Sequence, residues 1–370
     1  MPMGLLREGQ SIRGTYEVER LVGEGAFAEV YRVRHRFLGR QAMKVFKTVG
    51  MTVPEIEDML GEAILLSRIG HPNLIRVFDA NTTETSRGTC GFFTTEYIAG
   101  GSLEQFWRSH GANLVPVETA VEVTRQVCRG LTVAHGEDPP IIHRDIKPQN
   151  ILIGYEGDGL RARVCDFGLA KRVNPLTMLA SSRGTRSFKS PEAFLDPQSD
   201  SCAGDVWAVG STLYLLLTDR LPLAEGGELD VMDMSRFDRP IIPPSRLNLR
   251  VDPLLDQIVL RALAFRPEDR YPRAMDMLVD LDAWRPPSAA TLNRPKEAVQ
   301  SETSKVALGA HTPPDEEEAR KLVRRALHLA GTPGQLSEAT DLMEEAINRW
   351  PEIRAEQEYR LKLWRRGMAM

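Results

Sequence analysis

The chain has 370 residues, 42% of them hydrophobic and 26% charged, with a formal net charge of -4. That length holds one large two-lobed domain plus something small, and the hydrophobic share is ample for a core. The mild negative charge gives no electrostatic footprint for nucleic acid, and four scattered cysteines (90, 128, 165 and 202), with no C-x-x-C pair, argue against a zinc site or a disulfide framework.

At the N-terminus, "MPMGLLREGQSIRG" lacks the apolar stretch of a signal peptide. The longest apolar run, "VWAVGSTLYLLL" at 206–217, is too short to span a bilayer and reads as a buried helix. A cytoplasmic protein without a membrane span is expected.

In chain order, 12–98 reads as strand-rich. "YEVERLVGEG" and "AEVYRVRHR" alternate around a glycine-containing turn, and "GRQAMKVFKTV" continues as a third strand. Helical spacing then interrupts: Ile56, Met59, Leu60, Ile64 and Leu65 form one face of a helix opened by Pro54. "IRVFDANTT" and "CGFFTTEYI" return to strand. From 102 to 284 the pattern is mostly helical, in "VETAVEVTRQVCRGLTVAH", "DVWAVGSTLYLLLT" and "DPLLDQIVLRALA". Residues 285–314, rich in Pro, Ser, Thr and Ala, read as a linker. Helical pattern resumes over 315–366, in at least two pieces separated by "GTPG".

The candidate chemistry begins at "GEGAFAEV", residues 23–30, a G-x-G-x-x-G phosphate-loop pattern whose third glycine is Ala28. Alone it reads more readily as a plain hairpin turn. Lys44 follows on the next strand. Glu62 falls on the helix beyond it, among residues expected to face the core, where a carboxylate needs a cationic partner. A Lys44–Glu62 pair would leave the ammonium aimed at phosphate. "IIHRDIKPQN", residues 141–150, sets polar groups between apolar runs that read as buried strand, so a functional loop is expected there. "DFG" follows at 166–168. Phosphoryl transfer needs a carboxylate and an amide for Mg²⁺, which Asp166 and Asn150 suit, and a second carboxylate for the attacking hydroxyl, which Asp145 suits.

With these motifs, and with "HPNLI", "GT…SPE", "DVWAVG" and "RPEDRY" in the same order, residues 12–284 resemble the eukaryotic-like Ser/Thr protein kinases, most closely in style the bacterial members. The resemblance implies an α+β bilobal fold: a β-rich N-lobe (12–98) with one regulatory helix and a larger helical C-lobe (99–284). After them come the flexible linker (285–314) and a small helical, TPR-like interaction segment (315–366). It implies ATP and Mg²⁺ as cofactors, with Mn²⁺ as a substitute, and protein substrates bearing Ser or Thr. Gly23 and Gly25 would cover the phosphates, and Lys44 would hold them while paired with Glu62. Asp145 would orient the hydroxyl, Lys147 would neutralise the transferring group, and Asn150 and Asp166 would ligate magnesium. Thr95 matches the gatekeeper. The backbones of Glu96 and Ile98 would meet the adenine, with Val30, Ala42 and Leu152 sandwiching it. Leu66, Val77, His143 and Phe167 match the family's regulatory stack, and Arg270 matches the partner of Glu192.

Arg144 needs an anion. In the family, phosphate on the activation segment supplies one, which makes Thr177, Ser181 and Ser182 candidate regulatory sites beside Thr185; a local carboxylate is the alternative. Lys147 and Gly184-Thr185 resemble Ser/Thr-specific members. Two other functions compete: a pseudokinase scaffold whose tail does the work, and a small-molecule phosphotransferase. In the tail, Ala339, Met343, Ala346 and Pro351 have the spacing of a tetratricopeptide second helix, and a generic helical hairpin is the alternative. One such unit cannot bury its face alone, so it must dock on the kinase, associate with a second chain or bind a helical partner.

Overall fold

The structure, a computed structural model, describes residues 4–111, 114–156, 159–167, 185–196, 199–223, 237, 239–286, 314–330 and 335–350, with 352, 353, 356, 357, 360, 361 and 364. The alternating N-terminal segments form one antiparallel sheet. Its strands are β1 (Ser11–Ile12), β2 (Tyr16–Glu24), β3 (Ala28–His35), β4 (Gly39–Val49), β5 (Val77–Thr85) and β6 (Gly88–Glu96), in the order β1-β2-β3-β4-β6-β5. Between β3 and β4, Val30 lies opposite Lys44, Arg32 opposite Ala42 and Arg34 opposite Arg40. Opposed residues share a face and alternate residues change face. Tyr31, Val33, Met43 and Val45 therefore enter a core with Phe92, while Val30, Arg32, Arg40, Ala42 and Lys44 share the other face.

The single helix expected after Pro54 is two, α1 (Val53–Met59) and α2 (Gly61–Ile69), meeting at Leu60 with φ -92° and ψ 1°. Gly61, a weak helix former, starts the second. The break rotates the inward face: Ile56, Leu60, Ala63 and Leu66 are buried, but Leu65 is 44% exposed.

Among the described residues the second half consists of α3 (Leu103–Arg108), α4 (Val117–His135), the hairpin β7 (Ile151–Glu156) with β8 (Gly159–Val164), α5 (Pro191–Leu195), α6 (Cys202–Thr218), α7 (Pro253–Ala262) and α8 (Ala274–Ala283). Every residue of α6 from Asp205 to Thr218 is buried. The expected apolar run is thus a central helix, and Gly210 permits its close approach to α7, since a Cβ there would come within 2.8 Å of Ala262 Cβ. Of the runs flanking "HRDIKPQN", only Ile151 onward is strand. Ile141 and Ile142 are buried without ladder bonds, Ile141 N–H donating instead to Ala134 O at 2.9 Å.

The tail forms two helices, α9 (Pro314–Ala330) and α10 (Leu336–Arg349). Ala319, Val323, Ala326 and Ala330 pack against Ala339, Met343, Ala346 and Ile347, and Ile353, Leu361 and Trp364 close the cluster. The hairpin also meets the rest of the chain: Tyr155 of β7 packs on this cluster, and Asp341 reaches Arg32 and Arg40.

Candidate active site

The cleft face of the sheet carries Val30, Ala42 and Lys44, all partly exposed, and Leu152 of β7 is partly exposed as well. Their strand neighbours Tyr31, Met43, Ile151 and Ile153 are buried, so alternation alone presents one apolar set to the cleft and the other to the cores. Gly23 pairs with Val30 in the ladder, and Gly25 N–H donates to Ala28 O at 2.8 Å, closing the turn between β2 and β3. At the link between lobes Thr95 Oγ1 donates to Glu96 O at 3.2 Å. The Glu96 carboxylate accepts from Arg76 N–H at 3.0 Å and pairs with Arg163 at 3.3 Å. Ile98 follows, its carbonyl accepting from Gly101 N–H at 3.4 Å.

The loop at 141–150 is held from beneath by Asp205. One carboxylate oxygen accepts His143 N–H at 2.7 Å and a bond from His135 Nε2 at 3.1 Å; the other accepts Arg144 N–H at 2.9 Å. Ala274 N–H donates to His135 Nδ1 at 3.2 Å, which puts the ring's proton on Nε2, toward Asp205. A buried charge in an otherwise apolar helix needs such partners. These donors and the neighbouring histidines hold the Asp205 carboxyl below its ordinary value, although its burial pushes the other way. Sequence reasoning quoted "DVWAVG" but gave Asp205 no role; the signal was an acidic residue within an apolar run.

On this base the polar residues converge. Asp145 Oδ2 lies 2.8 Å from Lys147 Nζ, and Asn150 Nδ2 donates to Asp145 O at 2.8 Å and to Oδ2 at 2.9 Å. Asp166 pairs with Lys44 at 2.6 Å. Burial works against the Lys44 ammonium, but the Asp166 carboxylate outweighs it and raises the lysine above its usual value. Arg144 and Asp166 both adopt left-handed backbone, φ 71° and 68°, which non-glycine residues take where surrounding structure imposes it, commonly at functional sites.

The expected Lys44–Glu62 pair is not the one formed. Glu62 pairs with Arg144 at 3.1 Å, and Arg144 also pairs with Asp200 at 3.0 Å. Each expected partner has a nearer opposite charge: Asp166 takes the lysine, and the arginine takes Glu62. Local carboxylates, the alternative anions for Arg144, are those it meets here. Thr177, Ser181 and Ser182 lie outside the described residues; Thr185 begins a short 3₁₀ turn, Thr185–Phe188. Of the expected stack, the His143 and Phe167 rings meet edge-on at 4.4 Å, Leu66 and Phe167 belong to one extended core, and Val77 packs against that core. Arg270, buried, pairs with Glu192 at 2.6 Å and 2.7 Å.

A small sheet lies over a helical lobe, and a lysine, two aspartates and an asparagine converge between them, the two-lobed layout of a kinase-like fold. The family model described as protein kinase domain matches residues 16–331, and the chain belongs to the protein kinase family. It is 32% identical over 282 residues to serine/threonine-protein kinase PknB of Mycobacterium leprae, covering 74% of this chain and 44% of that protein. It is 31% identical over 278 residues to PknB of Mycolicibacterium smegmatis, covering 74% and 43%. The chain thus spans less than half the length of these curated relatives. A crystal structure of the kinase domain of Mycobacterium tuberculosis PknI, in a cysteine-to-alanine variant, shares the fold, with a TM-score of 0.55 and 23% identity, over 75% of this chain and 98% of that one. Among the described residues no helix is long and apolar enough to cross a membrane.

Proposed function

We propose that the chain is an active Ser/Thr protein kinase that transfers the γ-phosphoryl group of ATP to protein hydroxyls, with a divalent cation, in the cytoplasm. The observation that carries this reading is the cluster of Asp145, Lys147 and Asn150 beside the Lys44–Asp166 pair. Asp145 would accept the hydrogen bond of the substrate hydroxyl and orient its oxygen. Lys147, already 2.8 Å from that carboxylate, would balance charge on the transferring group. Lys44 and Asp166 neutralise each other here, and phosphate and cation would replace each as the other's partner.

Asn150 and Asp166 would hold the cation. They fit it by donor chemistry: the Asn150 NH₂ is committed to Asp145, which leaves the amide oxygen, and the second donor is a carboxylate oxygen, the set a hard divalent ion prefers. A bound Mg²⁺ would supply charge neutralisation at the phosphates. Phosphorylation at Thr177, Ser181 or Ser182 would compete for Arg144, release Glu62 and allow it to reach Lys44. The division into 12–98, 99–284, a linker at 285–314 and a helical TPR-like segment at 315–366 belongs to the same reading, and so do protein substrates and a helical partner or self-association for the segment.

Incubation with radiolabelled ATP and magnesium, alone and with a generic basic protein, tests the assignment. Label should move to Ser or Thr, and Lys44→Met or Asp166→Asn should reduce the rate by about three orders of magnitude while the protein stays folded. Near-normal turnover in either variant would remove the kinase assignment.

A further inference from the structure

Asp341 of α10 is bidentate across two strands: Oδ2 lies 2.6 Å from Arg32 Nη1 on β3, and Oδ1 lies 2.6 Å from Arg40 Nη1 on β4. Glu19 of β2 completes the group, 2.6 Å from Arg32 Nε and 3.2 Å from Arg40 Nε. Arg32 is only 8% exposed, and the Arg40 and Asp341 side chains are 18% and 14% exposed. Glu19 also takes the exposed Arg34 at 2.9 Å, so two carboxylates hold three guanidiniums, and burial has largely stripped two of these, Arg32 and Arg40, of water. An exposed ion pair is worth little, but removing one partner of a buried pair is costly because the other charge stays behind.

Where this clip sits matters as much. Arg40, Ala42 and Lys44 alternate along β4, so they share the face that roofs the cleft, with Arg40 about 13 Å from Lys44 along the strand. The Arg32 guanidinium lies over the Tyr97 ring, in the link between lobes, at 5.8 Å. From the helical side, Tyr155 packs on the core of the α9–α10 hairpin. Its strand, β7, is tied to the link, since Ile153 N–H donates to Gly101 O at 2.8 Å. The hairpin thus touches both lobes, on either side of their connection.

We propose that Glu19, Arg32 and Arg40 form a docking site for the chain's own α10, and that the seated hairpin is a strut across the hinge that pre-organises the adenine side of the cleft. Its occupant is the helix of the same molecule, seated by Asp341. Removing the strut leaves the hinge more conformations to lose on binding, so nucleotide should bind more weakly.

The test is hydrogen exchange on the full chain, beside binding of a non-hydrolysable ATP analogue, for Asp341→Asn, Arg40→Gln and the double variant. Both singles should lower amide protection in α10 by at least about tenfold, and the double should lower it no further than the worse single. Analogue affinity should weaken about threefold or more, with circular dichroism unchanged. Unchanged protection of α10 in both singles would overturn the docking site. Faster exchange with unaltered affinity would overturn the strut. Light scattering that returned a dimer exchanging its α10 helices would overturn the intramolecular occupant. The affinity arm rests on the kinase reading but the exchange arm does not: if the unsubstituted chain bound no analogue, the kinase reading would fall and exchange would still decide docking.

Discussion

Glu62 and Arg144 form an ion pair, Oε2 to Nη1 at 3.1 Å, that joins helix α2 to the loop at 141–150. The same arginine holds Asp200, and Lys44 holds Asp166. Among the described residues, these pairs match Glu62 and Asp200 with Arg144 and Asp166 with Lys44, an arrangement that differs from the one the kinase reading requires during transfer. An exchange of partners separates the two arrangements. On the kinase reading it would need a competing anion for Arg144 and phosphate for Lys44.

Glu62→Gln separates these roles. If Glu62 served only to occupy Arg144, its loss would leave turnover unchanged or raise it. The kinase reading expects Lys44 to lose the partner that orients it on the phosphates, so turnover should fall by about tenfold or more, with thermal stability little changed. A steady-state kinase assay beside a melting curve checks this, and undiminished turnover would refute the role.

Replacing Thr177, Ser181 and Ser182 together by Ala should lower activity severalfold, because Arg144 would keep Glu62 and Asp200 as its anions. Mass spectrometry of the unsubstituted protein after incubation with ATP should find phosphate within 177–182. A triple variant of equal activity would mean that the segment orders without phosphate.

Much of this was legible in the sequence, for identifiable reasons. Period-2 alternation marked the segments that become β2, β3 and β4, the resemblance picked out Val30, Ala42 and Lys44, which the structure sets on one face, and α4 and α6 follow their apolar patterns. Motif order brought Asp145, Lys147, Asn150 and Asp166 to one cleft. The choice of partner was not legible. Lys44, Arg144, Glu62, Asp166 and Asp200 are close enough that several pairings satisfy them, and spacing along the chain cannot rank these. The break at Leu60 was hidden because helical periodicity continues across it in the sequence. Asp341 gave no signal, since a lone acid in an acidic helix looks solvated until the arginines across from it are known.

The pair of Glu192 and Arg270 gives a pH prediction. Burial pushes the Glu192 carboxyl up, but the Arg270 guanidinium and the hydrogen bonds around it outweigh that and hold it below 4.5. A carboxylate whose folded value is depressed contributes stability that is present above its unfolded value and is lost as pH falls through the folded one. Stability should therefore drop below about pH 4.5. Glu192→Gln should cost about 3 kcal/mol at pH 7, because the fully buried Arg270 side chain is left charged, and should have less acid sensitivity than the unsubstituted protein. Urea melts at pH 7 and pH 3.5 decide it: an equal cost at both values would mean that the pair is not linked to protonation.

Truncation after residue 290 tests the domain boundary. The helical lobe closes at Trp284, which is buried, donates Nε1–H to Asp252 at 3.0 Å and gives its carbonyl to Arg125. Nothing in that closure uses the tail, so the shortened chain should fold, remain soluble and bind ATP. It should also melt lower than the full chain, because Tyr155 loses the cluster it packs on and Arg32 and Arg40 lose Asp341, and its basal activity or self-association should change. Calorimetry, light scattering and kinase assays on the two lengths make the comparison. An insoluble short form would mean that the α9–α10 hairpin belongs to the catalytic fold and that the boundary is wrong. Two forms alike in melting, mass per protomer and activity would make the hairpin an idle extension, despite the two arginines it reaches.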